Sequence, residues 1–568
     1  MPIAEGDLPP HPIREVLAQP YPERMRLAAR IWAAQIQPNS RAILALYWLK
    51  YLLVFIGGWA CFCSFNAGYP GFFAAGEWAF SRDAFRKAIA WAMFYELLGL
   101  GCAMGPMNGR FWPPLGGFLH FLRPGTTKLA LFPRLPLLGG IRRSLLDVAL
   151  YAALQLCLLR ALVAPSVTPE LLLPACLLLP ILGIADKTIF LCARAEHYWV
   201  ALVCLAAAAA GDVWIGACQL VWSCIWFWAA TSKLNHHFPS VIMVMMNNGP
   251  FFPAWLKRRL FVAFPDDLRP SALAKFMAHM GTATEYTIPV VLLASGDLLL
   301  TLATLVVMTC FHGFVALNNP AGMPIEWNIL MIYGGWFLFG FHPEASVLAL
   351  AQLPLLGAFL LFCLVAVPLV GNFVPSRVSF LLAMRYYAGN WAYNIWLFRG
   401  DAVKKLAKLT KAAAPMRDQL ARIVPDPDVV ENAMLLSSVN RLLHLQGKVL
   451  YEALPRAVDQ IDRYEWMDGE IVAGLALGWN FGDGHLNDLQ LLEAIQAQCG
   501  FEAGELRVVM VESQPLFGRT MAWRIADAKT GMLEAGESVI APLLACQPWP
   551  QGKHAEAIRR GCPERAPA

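Results

Sequence analysis

Four polar residues, Lys233, Asn235, His236 and His237, arrive together at the end of an apolar run that reads WFWAATSKLNHHFP. On a continuous helix, Lys233 shares a face with the two histidines, because residues three and four apart are neighbours. Pro239 then ends or kinks that helix. Ionisable side chains at membrane depth usually face a cavity or a partner and mark a functional path. The alternative is a lysine whose charge reaches the membrane interface beside two interfacial histidines.

Three more ionisable side chains interrupt apolar runs: Glu96 in AMFYELLGLG, Glu285 in TATEYTIPVV and His312 in TCFHGFVALNN. A central carboxylate costs roughly 2.5–3.5 kcal/mol on insertion scales, so it must be protonated, paired or in contact with water. The least costly arrangement turns Lys233, Glu285 and His312 toward one shared polar cavity. We predict that these three converge within about 10 Å, with Lys233 as general base and the other two relaying the proton.

Polar residues around these positions form the predicted substrate-binding set, which comprises Asn235, His236, His237, Glu96, Asn318 and Glu326. The alternative is that they cap helices and line turns. A haem held by His279 and His312 is a further alternative. No metal site is predicted, because the fourteen cysteines form no CxxC pair and most lie inside apolar runs.

The composition indicates a membrane protein. Of 568 residues, 58% are hydrophobic and 15% are charged, whereas soluble proteins carry about 25% charged residues. The net charge of +5 is small for this length and does not indicate nucleic-acid binding. About ten apolar runs predict an α-helical polytopic protein with about ten transmembrane helices. The runs lie near 42–63, 86–106, 145–164, 169–185, 197–210, 213–232, 278–295, 298–318, 325–341 and 346–370.

The composition changes along the chain predict five parts. They are an N-terminal lead (1–41) with an amphipathic helix at 22–35, a transmembrane domain (42–370), a basic juxtamembrane linker (371–423), a soluble α/β domain (424–550) and a tail (551–568). The soluble domain is expected to contain helices near 428–453 and 487–498, the second capped by Asn487, a strand at 505–512 and a hairpin at 520–540. We expect 424–550 to fold as a unit.

Basic residues concentrate in the N-terminus, in 107–143, 186–196 and 233–276, and after Arg377. With ten crossings, all of these segments fall on one side, which the positive-inside rule assigns to the cytoplasm. We therefore predict a multi-pass protein of the cell (inner) membrane whose C-terminal domain is cytoplasmic.

Short motifs between 197 and 340 resemble a known transmembrane domain. Lys233-Leu234-Asn235, and Phe311-His312 followed by Gly322-Met323, are similar to motifs of vitamin K-dependent gamma-carboxylase and of the bacterial HTTM proteins. In that family the matching lysine is the base that deprotonates a reduced quinone, and the matching histidine lies in the same site. The resemblance implies a carboxylase-like enzyme, with a quinone as the candidate cofactor or substrate. Here Asn235 replaces the family's acid, and Pro324 interrupts the helix after His312.

Four other pieces, spread over nearly the whole chain, resemble a family of uncharacterised bacterial transmembrane proteins common in actinobacteria. These pieces are GLGCAMG (99–105), FLRPG (121–125), KLNHHFP (233–239) and GWNFGDGHL (478–486). This second resemblance implies an architecture and no chemistry.

Two functions remain open from the sequence. The first is a membrane enzyme that acts on a lipid or quinone substrate, with Lys233 as general base. The second is a non-catalytic membrane protein that binds or transports a lipid or quinone, with the C-terminal domain recruiting a protein partner. Discontinuous helices around a cavity near the bilayer midplane fit the second function equally well.

Overall fold

The computed structural model describes residues 13–34, 41–101, 115–207, 212–249, 251–317, 324–385, 388–482, 484–550 and 558–560. Asn318 of the predicted binding set and the Gly322-Met323 pair lie outside the described residues. So do most of the predicted tail and part of GLGCAMG.

Helices make up the ordered elements up to residue 373, apart from one short hairpin. They are α1 (Ile13–Ala18), α2 (Tyr21–Ala34), α3 (Arg41–Lys50), α4 (Gly57–Cys63), α5 (Ala75–Trp78), α6 (Arg82–Leu97), α7 (Gly116–Phe121), α8 (Leu145–Val163), α9 (Pro169–Ala185), α10 (Lys187–Cys192), α11 (Val200–Ala207), α12 (Val213–Ser232), α13 (Phe238–Asn248), α14 (Ala254–Arg259), α15 (Ala272–Ala294), α16 (Leu298–Ala316), α17 (Ile325–Gly335), α18 (Pro354–Leu361) and α19 (Val367–Phe373). Within the described residues, four π-helical segments join or extend them, at Tyr51–Ile56, Ala195–Trp199, Trp336–Gly340 and Phe362–Ala366. The helix predicted at 22–35 is confirmed as α2.

Five helical stretches in the described part of the chain are long and apolar enough to cross a membrane. They are Ala45–Cys63, Leu145–Val163, Val213–Ser232, Leu298–Ala316 and Pro354–Phe373. The predicted count of about ten is not confirmed. The remaining runs form helices that are shorter, such as α9, or more polar, such as α15 with Lys275 and Glu285. Of the apolar window of α12, 78% is buried, against 22–39% in the other four, so α12 is the central helix.

A six-stranded antiparallel sheet dominates the C-terminal region. Its strands are β3 (Tyr393–Arg399), β4 (Tyr464–Asp468), β5 (Leu506–Val511), β6 (Thr520–Asp527), β7 (Gly531–Val539) and β8 (Ile558–Arg560), in the order β4-β3-β5-β6-β7-β8. The predicted strand and hairpin correspond to β5 and to the pair β6 and β7. Strand β3 lies in the predicted linker, yet it pairs with both β4 and β5. The boundary predicted at 424 therefore leaves a central strand outside the predicted domain. A separate hairpin joins β1 (Phe261–Ala263) and β2 (Asp267–Pro270).

Both faces of the central strand β3 are buried, and successive side chains of a strand point to opposite faces. In β3, Ile395 and Leu397 pack with the N-terminal helices and α22 (Leu445–Ala457). Trp396 and Phe398 instead join the core that extends into the membrane helices. The sheet is therefore continuous with the packing of the transmembrane part.

The other C-terminal helices are α20 (Met416–Ile423), α21 (Pro427–Ser438), α23 (Gly469–Leu477), α24 (Leu489–Cys499) and α25 (Ile540–Ala545). The long helix predicted at 428–453 is two helices, α21 and α22. Asn487 does not cap α24. The Asp488 carboxylate does so by accepting from the backbone N–H of Gln490 at 3.0 Å, while the Asn487 side chain binds Asn394.

Several basic residues that were assigned to cytoplasmic loops form ion pairs with other elements instead. Lys128 binds Asp147 at 2.7 Å, and Arg143 binds Asp186, with all four side chains almost fully buried. In the linker, Lys405 pairs with Glu505. These charges stabilise packing between elements, so they are weaker evidence for the sidedness of the protein than their number suggests.

Candidate functional site

Lys233 lies at the C-terminal end of α12 and forms an ion pair with Glu285 of α15. The central helix brings the lysine to this position, and the adjacent α15 supplies the counter-charge. Lys233 is 8% exposed and Glu285 3% exposed. A buried charge is tolerated when it is paired and hydrogen-bonded, so this contact accounts for both charged groups inside otherwise apolar helices.

Aromatic rings surround the Lys233 ammonium group. Its Nζ lies 5.5 Å from the ring centroid of Phe238 and 5.6 Å from that of Phe311, within the range of cation–π attraction. Beside this pair, the Tyr286 hydroxyl donates to Thr231 Oγ1 at 2.8 Å, which ties α15 to α12 again. The result is a compact polar centre with an apolar aromatic lining.

His312 is a neighbour of this centre but is not bonded to the ion pair. The indole N–H of Trp226 donates to His312 Nε2 at 2.9 Å, and Nδ1 lies 2.8 Å from Asn328 Oδ1. Because an indole only donates, Nε2 must accept and Nδ1 must carry the proton. The Asn328 amide in turn donates to the Pro324 carbonyl at 2.8 Å, which fixes its orientation. His312 therefore joins α12, α16 and α17, and Phe311 beside it reaches Lys233.

The residues after Lys233 turn toward the C-terminal region instead of sharing its face. The Asn235 amide donates to the Gln514 carbonyl at 3.2 Å and accepts from the Phe517 backbone N–H at 3.0 Å. His236 is exposed, with its backbone N–H bound to Gln514 Oε1. His237 donates from Nε2 to the Ala388 carbonyl at 2.9 Å. The prediction of one helical face is wrong, because α12 ends at Ser232 and the chain turns.

A second buried cluster contains Glu96 and Glu326. Arg194 donates to the carboxylates of Glu96 at 3.4 Å and Glu196 at 3.1 Å, and its guanidinium lies 4.7 Å from the Phe481 ring centroid. Glu96 is also hydrogen-bonded to the Glu326 side chain. The Glu96 carboxyl group therefore contacts both the Arg194 guanidinium and the Glu326 side chain.

Three consecutive residues of α17 connect this cluster with the Lys233 centre. Glu326 contacts Glu96, the Trp327 indole N–H donates to His197 Nδ1 at 3.1 Å, and Asn328 binds His312. The predicted set therefore divides into three groups: the Lys233–Glu285 pair with His312 beside it, the turn at 235–237, and the Glu96–Glu326 cluster.

Ionisable groups also line the junction with the C-terminal sheet. Burial, together with the nearby Arg441, lowers the pKa of His444 to about 3. Burial raises the pKa of Asp468 to about 6, opposed by Arg441 at 4.0 Å. Arg441 also pairs with Glu470. At neutral pH this junction therefore contains a neutral His444 and an ionised Asp468.

The GWNFGDGHL piece contributes to the same junction. His485 Nε2 lies 2.9 Å from Glu512 Oε2. Burial raises the pKa of Glu512, but His485, Arg385 and the backbone N–H of Ser513 together bring it down to about 2. Phe481 of the same piece covers Arg194. Two of the four pieces named in the sequence analysis, KLNHHFP and GWNFGDGHL, thus lie where the membrane helices meet the sheet.

Sequence reasoning missed Arg194, Trp226, Phe238 and Gln514. Arg194 and Glu196 were assigned to a charged loop, although the pattern Arg-x-Glu-His directly before an apolar run was a usable signal. Trp226 and Phe238 could not be distinguished from other aromatic residues of apolar helices. Gln514 is 279 residues from Asn235, and no local pattern indicated the contact.

A family model described as a transmembrane protein of unknown function, DUF3556, matches residues 1–558. No curated protein and no solved structure matches the chain. The comparisons thus agree with the resemblance to a transmembrane family without an assigned activity, and they show no link to the carboxylase-like domain.

Proposed function

Because this chain belongs to the DUF3556 family of transmembrane proteins, we propose that it is an integral membrane enzyme acting on the polar end of a lipid or quinone. Lys233 is its general base. One observation supports this proposal above the others: an ion-paired lysine, nearly buried at the end of the central helix, lies within 5.6 Å of the centroids of two aromatic rings.

The chemistry follows from the pairing. In a site of low dielectric constant, transfer of one proton from the Lys233 ammonium to the Glu285 carboxylate gives a neutral amine and a neutral acid. The amine is then a base for a hydroxyl proton of a substrate, and the resulting ammonium stabilises the oxyanion formed. Phe238 and Phe311 offer flat apolar surfaces to a quinone ring or a lipid chain.

The second candidate function is non-catalytic binding or transport of a lipid or quinone. It is favoured by the hydrogen bonds of His312, since both ring nitrogens are already used by Trp226 and Asn328. In the enzyme proposal His312 accordingly positions Phe311 and the three helices, and Glu285 alone exchanges a proton with Lys233.

Replacing Lys233 with methionine tests the two functions. We expect lipid extracts of a strain expressing the wild-type protein to contain a chemically altered lipid or quinone, and the Lys233→Met strain to lack it. Mass spectrometry of the extracts gives the readout. Lys275→Met is the matched control, because Lys275 is exposed on the same helix as Glu285. Identical extracts from cells with and without the wild-type protein would favour binding or transport.

We further propose that the protein lies in the inner membrane with its C-terminal sheet in the cytoplasm. The contacts of Asn235 with Gln514 and Phe517 support one element of this topology, since they put the Lys233 end of α12 on the same side as the sheet. A fluorescent reporter fused at Ala568 is expected to fluoresce, and an alkaline phosphatase fusion is expected to be inactive. The reverse pattern would overturn the topology.

A further inference from the structure

The connection between α7 and α8 folds back on itself and ends in an exposed apolar tip, residues 131–140, which we call the tip loop. The two arms below it are joined by backbone hydrogen bonds, in which the N–H groups of Lys128 and Arg143 donate to carbonyls of the opposite arm at 3.1 and 2.8 Å. Four large apolar side chains of the tip loop are 38–82% exposed: Leu137, Phe132, Leu131 and Leu135. Such a surface needs an apolar partner.

Contacts at its base hold the tip loop in one position. Lys128 Nζ donates to the Leu138 carbonyl at 2.9 Å and pairs with Asp147 of α8 at 2.7 Å. On the other side, the Leu131 N–H donates to the Ile184 carbonyl, near the end of α9, at 2.9 Å. The tip loop is therefore fixed between the start of α8 and the end of α9.

Leu137 has a backbone conformation that favours glycine. Its φ is 67°, in the left-handed region, and its side chain is the most exposed of the tip loop. A leucine is strained in this region, and a glycine there would remove both the strain and the exposed apolar surface. A leucine at this position therefore indicates that its side chain has an apolar partner outside the chain.

The charges near the tip loop are positive. Residues 131–146 contain no acid, and both Arg134 and Arg142 are exposed. Within the part of the chain that the structure describes, neither of these guanidinium groups has a hydrogen-bond or ion-pair partner. The acids at the base of the loop, Asp147 and Asp186, are already neutralised by the buried ion pairs described above. The two arginines are therefore available to an anion, and guanidinium groups bind phosphate in a bidentate manner.

The apolar tip is continuous with the exposed surface of the membrane helices. Leu145 and Leu146, the first two residues of the membrane-crossing helix α8, are exposed, and so is Ile181 near the end of α9. Below the tip, Gln490 of α24 donates to the Ala130 carbonyl at 2.8 Å. The tip loop thus lies where the membrane helices end on the side of the sheet, which is the level of the lipid headgroups.

We infer that the tip loop inserts into the headgroup layer of a membrane that contains anionic lipids. Phe132 and Leu137 contact the upper part of the acyl chains, and Arg134 and Arg142 bind lipid phosphate groups. A lipid surface matches both the apolar and the charged part of the loop, and it already adjoins the loop at Leu145. The inference does not depend on the proposed chemistry of Lys233, because the tip loop contributes no residue to that centre.

The test introduces p-benzoylphenylalanine, which crosslinks to neighbouring C–H bonds on illumination, in place of Leu137. The full-length protein is reconstituted into vesicles of equal parts phosphatidylglycerol and phosphatidylcholine, and mass spectrometry identifies the adducts. We expect lipid adducts at position 137, with phosphatidylglycerol in excess. The same label in place of Leu533, an exposed leucine of β7, is the matched control and should give no lipid adduct.

The double variant Arg134→Gln/Arg142→Gln, with the label at position 137, tests the contact with the phosphate groups. We expect it to lower the ratio of phosphatidylglycerol to phosphatidylcholine adducts by up to about thirty-fold, the factor expected for two basic side chains at a membrane surface. Lipid adducts as such should persist. Arg463→Gln/Lys529→Gln removes two charges from exposed positions of the C-terminal region and should leave the ratio unchanged.

Two results would overturn the inference. The first is a yield of lipid adducts at position 137 no higher than at position 533, or crosslinks from position 137 to a second copy of the chain or to another protein in place of lipid. The second is an unchanged lipid ratio in the Arg134→Gln/Arg142→Gln variant, which would show that the loop does not recognise anionic headgroups.

Discussion

Replacing Glu285 with leucine is expected to lower the free energy of unfolding by about 3–5 kcal/mol, because it leaves the Lys233 ammonium buried without a counter-charge. The two side chains are only 6% and 4% exposed, so solvent offers little compensation. The measurement is thermal unfolding of the detergent-purified protein, where the variant should show a clearly lower midpoint and a reduced yield of folded protein.

The double variant Lys233→Met/Glu285→Leu is the matched control. Replacing a buried ion pair by apolar residues of similar size is often neutral for stability, so the double variant should recover most of the loss and still lack the proposed activity. An unchanged midpoint in Glu285→Leu alone would show that the pair is hydrated and that the site is open to water.

The fragment 424–550 is expected not to fold cooperatively, whereas the longer fragment 388–550 should recover a cooperative transition in the same mild detergent. The shorter fragment lacks β3, which pairs with both β4 and β5. Without it those strands lose their shared neighbour, and their unpaired edges favour aggregation. Circular dichroism during thermal unfolding gives the readout.

Ile395→Pro in the longer fragment provides the control for this second prediction. Proline removes a ladder hydrogen bond and is not tolerated inside a central strand, so this variant should behave like the shorter fragment. Cooperative unfolding of 424–550 by itself would contradict the assignment of β3 as a central strand.

Local patterns were sufficient for elements whose partners are close in sequence. Strands β6 and β7 alternate around a short turn, and α2 has an amphipathic pattern, so both were predictable. Strand β3 was not, because YNIWLFR is buried on both faces and shows no alternation of polar and apolar residues. Its partners are also far along the chain, and a single sequence does not reveal such pairing.

The candidate site likewise contains one contact that the sequence predicts and others that it does not. The pairing of Lys233 with Glu285 follows from the cost of leaving either charge alone in an apolar helix. The roles of His312 and Asn235 did not follow, because their partners are an indole, an amide and a loop of the sheet region. Hydrogen-bonding residues of this kind leave no periodic signal in the sequence. The end of α12 at Ser232 was also not predictable, because a continuous run of apolar residues leads up to it.

The bonds of Asn235 with Gln514 and Phe517 have a consequence for biosynthesis. The two partners of the first bond are 279 residues apart, and ribosomes add about 5–20 residues per second. The turn after Lys233 therefore waits on the order of 15–55 s after its own synthesis before the loop that holds it has been translated. During that interval the polar end of α12 is an unfinished structure, and a chain that stops before Gln514 never completes it. Premature termination before Gln514 should thus disturb the centre of the membrane part as well as the sheet.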